Sequence, residues 1–317
     1  MIIKIKINLF YIIFIIIIQS SFCLEAEQTE KRGYLVHYAN YSKKTITNYS
    51  LEYDVLYVTG YSITKNGSVR IVSSNFHNLC KKTIPATKFT PVITFDSAKS
   101  GSIIFNNKKL RNQLVNSLSD FLNTNSFKTI QFDFEHLSPS NTGHYRSFLS
   151  ELRKKNRYLY ISICLFPQVR WIDKYSKFTD ISVLANSADE YMLMSYDQHG
   201  TTKKEGPVTS LSWAEENIRY IIKHIDAQKL ILGVPLYGYS WDKNGKTKVI
   251  TEKSFYRRFK PKEIVHLKEG ISILDKPKTY GYIYLSVGDS KTADYFLQLA
   301  KKYNLKGTAI WRLGFEK

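Results

Sequence analysis

The sequence predicts a (β/α)8 barrel with a small insertion between its seventh and eighth strands. Three observations lead to this fold. Short apolar runs rich in β-forming residues alternate from Gly33 onward with amphipathic stretches of helical period, as in repeated βα units around a parallel sheet. Eight such runs are present. Residues 33–317 also fit the usual length of this barrel, about 250 residues with room for insertions.

The predicted strands share a short length and a β-branched or aromatic character, and they cover residues 33–38, 55–59, 90–95, 129–134, 159–165, 190–196, 230–235 and 307–311. The predicted helices place apolar residues three and four apart and cover residues 110–122, 144–152, 213–224 and 293–303. The remaining length falls mainly in the Lys-rich stretch 240–286, which we expect to form an insertion over the mouth of the barrel. No internal repeat is evident.

Composition restricts the class of protein. A hydrophobic content of 43% is ample for a packed core and excludes disorder as the main state. Lys and Arg total 46 against 27 Asp and Glu, for a net charge of +19, so we expect a preference for polyanions. Charge alone leaves nucleic acid, an acidic membrane surface and an acidic cell-wall polymer equally open.

The first 23 residues have the layout of a secretory signal peptide. Lys4 and Lys6 precede an apolar run over residues 9–18, and a small, polar stretch follows up to Cys23. The run is shorter than the roughly 20 residues of a membrane span. We therefore expect a secreted or envelope-associated protein with no stable membrane insertion after cleavage. An uncleaved anchor and a lipid on Cys23 are the alternatives, and the bulky Phe22 argues against the lipid.

The cysteines predict neither a disulfide scaffold nor a metal site. Only Cys80 and Cys164 belong to the mature chain, and Cys164 lies in an apolar run that indicates a buried strand position. No CxxC or HExxH spacing occurs, so we predict no metal and no cofactor.

The strongest candidate for chemistry is the fourth strand. Because side chains alternate along a strand, Gln131, Asp133 and Glu135 should point together into the barrel, while Phe132 and Phe134 face the helices. Two neighbouring carboxyl groups on an interior face should raise the pKa of one of them, which suits a general acid. The alternative is a strand end carrying two solvated acids.

This strand resembles the D-x-x-D-x-D-x-E motif of glycoside hydrolase family 18, the chitinase-like barrels. Asp133 and Glu135 fall on its last two acids, of which the resemblance implies that Glu135 is the general acid. Lys128 and Gln131 depart from its first two positions. The branch of the family that includes spore-cortex and cell-wall glucosaminidases is similar here, with an amide before the final D-x-E.

A second block resembles the family's sixth-strand M-x-Y-D motif, with Met194, Tyr196 and Asp197 at the matching positions. The family places the Tyr and Asp toward the substrate's N-acetyl group. Residues 206–213 and 229–241 then follow in the order and spacing of the cell-wall branch. The resemblance therefore adds Tyr196 to the catalytic candidates, beside Glu135 and Asp133, and Met194 and Asp197 to the substrate-binding candidates.

Two further aromatic residues match the family at strand ends. Tyr237 corresponds to an aromatic that faces the sugar, and Trp311 to the tryptophan beneath the sugar at the cleavage point. Core packing is the alternative for both. Tyr38, Tyr61 and Asp96 follow or end strands one to three and are weaker candidates for lining the cleft.

The resemblance implies hydrolysis of a β-linked N-acetylhexosamine with retention, in which the substrate supplies its own nucleophile. Glu135 would protonate the leaving oxygen, Asp133 would orient the acetamido group, Tyr196 would bond its carbonyl and Trp311 would stack beneath the ring. Gln131, Met194, Asp197 and Tyr237 complete the predicted binding set.

The substrate class is argued from charge. Peptidoglycan carries carboxylates and suits a cationic, exported protein better than neutral chitin does, so an N-acetylglucosamine-containing cell-wall glycan is favoured over chitin. The alternative function is a catalytically weak or inactive sugar-binding member of the family, a lectin. The lysines form no compact basic run with interleaved aromatics, so nucleic acid is not an expected partner. We expect a monomer.

Overall fold

The computed structural model describes residues 29–170, 174–200 and 204–316, so the predicted leader with Cys23 lies outside the described residues. Eight parallel strands close into a barrel, which confirms the predicted fold. The barrel strands are β1 (Glu30–Leu35), β2 (Val55–Ile63), β4 (Phe89–Phe95), β5 (Thr129–Phe132), β6 (Tyr160–Leu165), β7 (Glu190–Leu193), β8 (Leu230–Pro235) and β14 (Gly307–Trp311). A short strand, β3 (Val69–Ile71), pairs antiparallel with β2.

Helices between the strands pack around the outside of the barrel. In chain order they are α1 (Lys43–Glu52), α2 (Ser74–Thr83), α3 (Ala98–Asn106), α4 (Lys108–Asn125), α5 (Thr142–Lys155), α6 (Ile181–Leu184), α7 (Leu211–Ile221), α8 (Glu252–Arg258) and α9 (Ser290–Lys302). Within the described ranges, none of them combines the length and apolarity that crossing a bilayer requires.

The four predicted helices correspond to α4, α5, α7 and α9, each of which buries an apolar stripe. Helix α1 escaped prediction because only Ile46 and Ser50 are buried along it. A helix held by so little apolar surface has no clear 3.6-residue period in its sequence. Its start is set instead by Ser42, whose side chain accepts a hydrogen bond from the amide of Thr45.

The fourth barrel strand alternates as predicted. Phe132 and Phe134 are buried on the outer side against Phe148 of α5, with ring centroids 5.3 Å and 6.4 Å from it. Gln131 is fully buried inside the barrel. Regular pairing of β5 ends at Phe132, yet the amide of Asp133 still donates to the carbonyl of Ile93, 3.0 Å away. The chain therefore keeps its direction for one more residue and delivers Asp133 to the open end of the barrel.

An ion pair fills the opposite, N-terminal end of the barrel. The Arg32 guanidinium lies 2.6 Å from the Glu190 carboxylate, and both side chains are buried. Tyr57 donates a hydrogen bond to Glu190 at 2.6 Å. Burial alone would raise the pKa of Glu190, but Arg32 and Tyr57 together bring it below its usual value. Because each charge is satisfied by the other and by Tyr57, the pair can remain ionised while buried at this end of the barrel.

Between β8 and β14 the chain builds a second, five-stranded antiparallel sheet. Its strands are β9 (Tyr237–Asp242), β10 (Thr247–Thr251), β11 (Ile264–Leu267), β12 (Ile271–Leu274) and β13 (Tyr282–Val287), and α8 packs against them. One residue separates β9 from the end of β8. The insertion therefore begins directly at the C-terminal end of the barrel, which brings its first side chains to the mouth.

Candidate functional site

A cavity of about 220 Å³ lies at the C-terminal end of the barrel strands. This is the end at which barrels of this type carry their chemistry. The side chains that line the cavity come from strands β1, β6, β7, β9 and β14 and from the residues that follow β5 and β7. They are Tyr34, Asp133, Glu135, Cys164, Met192, Met194, Tyr196, Asp197, Tyr237 and Trp311.

Two carboxyl groups that follow β5 share one wall of this cavity. Burial raises the pKa of Asp133 above its usual range, opposed by a hydrogen bond from the Cys164 thiol. Burial, together with the negative charges of Asp133 and Asp197, raises the pKa of Glu135 to about 8. Glu135 keeps 38% of its side chain exposed toward the opening. The pair thus offers an acid that is protonated at neutral pH and can reach a bound ligand.

Gln131 lies beneath the cavity rather than in its wall. Its Oε1 accepts a hydrogen bond from the Tyr34 hydroxyl at 2.7 Å, and its Nε2 donates to Ser162 Oγ at 3.0 Å. With both ends of the amide bonded and no exposed surface, Gln131 has no free group for substrate. The structure therefore moves this predicted binding residue to a supporting position beneath the acids.

The Cys164 thiol is a hydrogen-bond neighbour of the Asp133 carboxyl group. Cys164, on β6, lines the cavity floor, and burial raises the pKa of its thiol, which keeps the sulfur protonated. Asp133 Oδ1 has no hydrogen-bond partner among the described residues. One carboxyl oxygen of Asp133 is consequently left for a ligand that enters the cavity.

The facing wall is aromatic. Asp197 adopts a left-handed backbone conformation with φ near +59°. Its Oδ1 accepts hydrogen bonds from the Tyr237 and Tyr239 hydroxyls at 2.6 and 2.7 Å. Tyr196 is almost fully buried, and burial raises the pKa of its phenol well above the usual value. The Tyr196 hydroxyl therefore stays protonated and able to donate.

Trp311 forms the floor at the end of β14. Its ring lies 5.1 Å from Tyr34 at a steep angle and 6.4 Å from Tyr196 nearly parallel, measured between centroids. Met194 completes this apolar patch. An apolar ring beside polar groups is suited to one face of a sugar, whose C–H groups pack on aromatic surfaces.

None of the three weaker candidates is among the residues that line the cavity. Tyr61 points outward and bonds His77 of α2 at 2.8 Å, because the pairing of β2 with β4 shifts register between Val58 and Tyr61 and changes the face on which later side chains lie. Asp96 forms an ion pair with Arg70 at 2.8 Å. Tyr38 is 65% exposed.

Three residues of the site were not among the predicted ones: Tyr34, Met192 and Tyr239. Tyr34 lies within the predicted first strand, but sequence alone does not distinguish an inward-facing tyrosine of a site from one that packs in the core. Tyr239 reaches Asp197 only because β9 begins at the barrel mouth. The alternation of Tyr237 and Tyr239 along one strand was the available signal.

A wider groove, of about 600 Å³, lies outside the barrel between α1 and α9. None of the cavity-lining side chains reaches it, so the paired carboxyl groups assign the chemistry to the smaller cavity. Within the described ranges, no group of three or more His, Cys, Asp or Glu side chains is placed to hold a metal ion.

Comparison with known proteins relates this barrel to one family. The sequence model described as "Glycosyl hydrolases family 18" matches residues 32–316. A relative from Bacillus subtilis, the "Uncharacterized glycosylase YvbX", is 30% identical over 68% of this chain and 65% of its own length. The "Cortical fragment-lytic enzyme" of the same organism is 28% identical over 46% of this chain and 35% of its own. The chain thus matches less than two thirds of the length of these curated relatives.

Solved structures show the same fold. The spore cortex-lytic enzyme SleL of Bacillus megaterium superposes with a TM-score of 0.75 at 22% identity, over 90% of this chain and 71% of that one. A chitinase from Chromobacterium violaceum superposes with a TM-score of 0.78 at 20% identity, over 91% and 95% of the two chains.

Proposed function

Because the chain belongs to glycosyl hydrolase family 18, we propose that it hydrolyses a β-linked N-acetylglucosamine-containing glycan, with Glu135 as general acid. The observation that carries this proposal is the pair of carboxyl groups, Asp133 and Glu135, on one wall of a cavity at the C-terminal end of the barrel. The raised pKa of Glu135 supplies a proton at neutral pH.

In the first step Glu135 transfers its proton to the glycosidic oxygen as the bond from that oxygen to the anomeric carbon breaks. The acetamido carbonyl oxygen of the same sugar attacks the anomeric carbon and closes a five-membered ring. The Asp133 carboxylate accepts a hydrogen bond from the acetamido N–H, and the Tyr196 hydroxyl donates one to the acetamido carbonyl oxygen. Trp311 supports the sugar from below. In the second step Glu135 takes a proton from water, which attacks the anomeric carbon and reopens the ring.

The placement of the acids favours a nucleophile from the substrate. A retaining enzyme with a carboxylate nucleophile needs acid and nucleophile on either side of the scissile bond, about 5–5.5 Å apart. Asp133 and Glu135 are two residues apart and approach the cavity from the same wall. Neighbours of this kind do not flank a bond, so the acetamido oxygen is the better-placed nucleophile.

Peptidoglycan is the favoured polymer, and chitin the second. The net charge of +19 would draw a polymer that carries carboxylates toward the protein, whereas neutral chitin gains nothing from it. The relatives named as cortical fragment-lytic enzymes support the same choice. Export through the predicted signal peptide would bring the protein to such a polymer.

Digestion of purified peptidoglycan and of chitin oligomers side by side tests the proposal. Mass spectrometry of the new reducing ends should show N-acetylglucosamine at the cut, released faster from peptidoglycan. Release from neither polymer, with binding to either retained, would replace hydrolysis by the lectin function. Faster cleavage of chitin would overturn the choice of polymer and leave the reaction standing.

Gln131 offers a test of how the acids are tuned. The isosteric change Gln131→Glu keeps the contacts to Tyr34 and Ser162 but adds a carboxyl group beside Asp133. Like charges disfavour ionisation, so we expect the acidic limb of the kcat/KM profile to move to higher pH by on the order of one unit. Gln131→Met, which adds no charge, is the control. An equal shift in both variants would attribute the effect to lost hydrogen bonds.

A further inference from the structure

Arg312 comes directly after β14, at the end of the barrel where the cavity opens. It follows Trp311, whose ring forms the cavity floor. Its guanidinium carbon is 3.9 Å from the centroid of the Phe315 ring, and the Phe315 centroid is 6.3 Å from that of Tyr237, another residue of the cavity wall. Arg312 is therefore connected to the cavity wall in two ways: it is bonded to Trp311 along the chain, and it stacks on Phe315, which lies next to Tyr237.

The ring of Tyr38 is a second aromatic neighbour of the Arg312 guanidinium. The Arg312 guanidinium carbon is 5.4 Å from the centroid of the Tyr38 ring, which is 65% exposed. Partial burial raises the pKa of Tyr38, the positive charge of Arg312 lowers it and the negative charge of Asp133 raises it. Tyr38 follows β1 and Arg312 follows β14, and these two strands are parallel neighbours, so both side chains belong to the C-terminal end of the barrel, where the cavity opens.

The guanidinium is held but its charge is not neutralised. Other arginines have carboxylate partners, such as Arg70 with Asp96 at 2.8 Å and Arg170 with Glu216 at 2.6 Å. In the part of the chain that the structure describes, Arg312 has no carboxylate within ion-pair distance, and its Nη1 only reaches the Tyr41 hydroxyl at 3.4 Å. Stacking occupies the face of the guanidinium and leaves N–H groups along its edge, which match a carboxylate.

We propose that Arg312, together with the exposed ring of Tyr38, binds a carboxylate on the sugar that neighbours the N-acetylglucosamine whose glycosidic bond is broken. In peptidoglycan that sugar is N-acetylmuramic acid. Its carboxylate comes from the lactyl group where the stem peptide is absent and from the peptide where it is present. The inference rests on the proposed function, because it adds a specificity determinant to the same cavity. Chitin offers no such group.

The test compares glycan strands that differ only in this charge. The substrates are stem-free peptidoglycan strands with free lactyl carboxylates, the same strands as methyl esters, strands with intact stems, and chitotetraose. For the wild-type protein, the KM of the free acid should be lower than that of the ester by about tenfold or more, since hydrogen bonds to charged groups are stronger than those to neutral ones. Arg312→Gln should abolish that preference with little change in kcat and leave chitotetraose unaffected. Arg312→Lys, which keeps the charge without the planar fork, should retain part of it.

Arg258 supplies the matched control. Its guanidinium carbon also stacks on two rings, 5.5 Å from the Phe259 centroid and 5.3 Å from that of Tyr282. Tyr282 pairs with Asp242, at the far end of β9 from Tyr237, and Arg258 is not among the residues that line the cavity. Arg258→Gln removes the same charge and should leave all four substrates unchanged.

Titration calorimetry with Glu135→Gln protein and the same four glycans separates this inference from the proposed reaction. If the wild-type protein hydrolyses none of the glycans while the Glu135→Gln protein still binds the acid better than the ester, the reaction would be removed and the Arg312 site kept. Equal affinity of acid and ester, or an equal loss on all substrates in Arg312→Gln, would overturn the site while the reaction stands. A preference seen only with intact stems would identify the peptide as the source of the carboxylate.

Discussion

Turnover is expected to fall by about 10²–10⁴-fold in Glu135→Gln, because the amide keeps the shape of the side chain but has no acidic proton to transfer. Binding of the glycan should survive, since the aromatic floor and the other cavity groups are unchanged. The alkaline limb of the wild-type pH profile should also report this group. Burial and neighbouring negative charge raise the pKa of Glu135 to about 8, so activity is lost as the pH rises through that value and the acid gives up its proton.

Steady-state kinetics on a soluble peptidoglycan fragment, across pH 4 to about 10, checks both expectations. Glu269→Gln, an equivalent change at an exposed carboxyl in the insertion, is the matched control and should behave as wild type. Equal turnover in wild type and Glu135→Gln would remove Glu135 from the reaction. Loss of binding along with turnover would instead indicate a damaged cavity, which thermal melting of the variant would reveal.

The barrel and its inward-facing acids were predictable because they depend on local periodicity. The alternation around Asp133 places Phe132 and Phe134 among the helices, and no tertiary information is needed for that. Helix α1 was not predictable, since only Ile46 and Ser50 are buried along it. Its position is decided by the barrel strands that it covers.

The parts of the site that sequence alone missed depend on register and on long-range contact. The shift in pairing between Val58 and Tyr61 turns Tyr61 outward. The alternation of residue types along that strand gives no sign of this shift. Tyr239 belongs to the site only through its contact with Asp197, which lies 42 positions earlier in the chain. Cys164 was correctly predicted as a buried strand residue, but its role beneath Asp133 depends on the neighbouring strand.

A glycan with a free amine in place of the acetamide at the cleaved sugar should not react. We expect its cleavage rate to fall by at least about 10³-fold relative to the fully acetylated glycan, because a nucleophile held in place within the substrate accounts for a large share of the lowered barrier. A thiazoline analogue of N-acetylglucosamine, which mimics the ring-closed intermediate, should inhibit competitively. Both results follow from the placement of Asp133 and Glu135 on one wall, where neither can reach the far side of the bond.

The matched control is a glycan of the same length that lacks the acetyl group only at a sugar remote from the cut, which should react at close to the normal rate. Efficient cleavage of the glycan de-acetylated at the cleaved sugar would contradict the substrate-assisted route, as would a glycosyl ester trapped on Asp133 by a fluorosugar. The trapped ester would make Asp133 a nucleophile. Its carboxylate would then have to approach the anomeric carbon from the face opposite Glu135, although the two residues follow the same strand. Oδ1 of Asp133, for which the described residues supply no hydrogen-bond partner, is better suited to an acetamido N–H, which needs only an acceptor beside the ring.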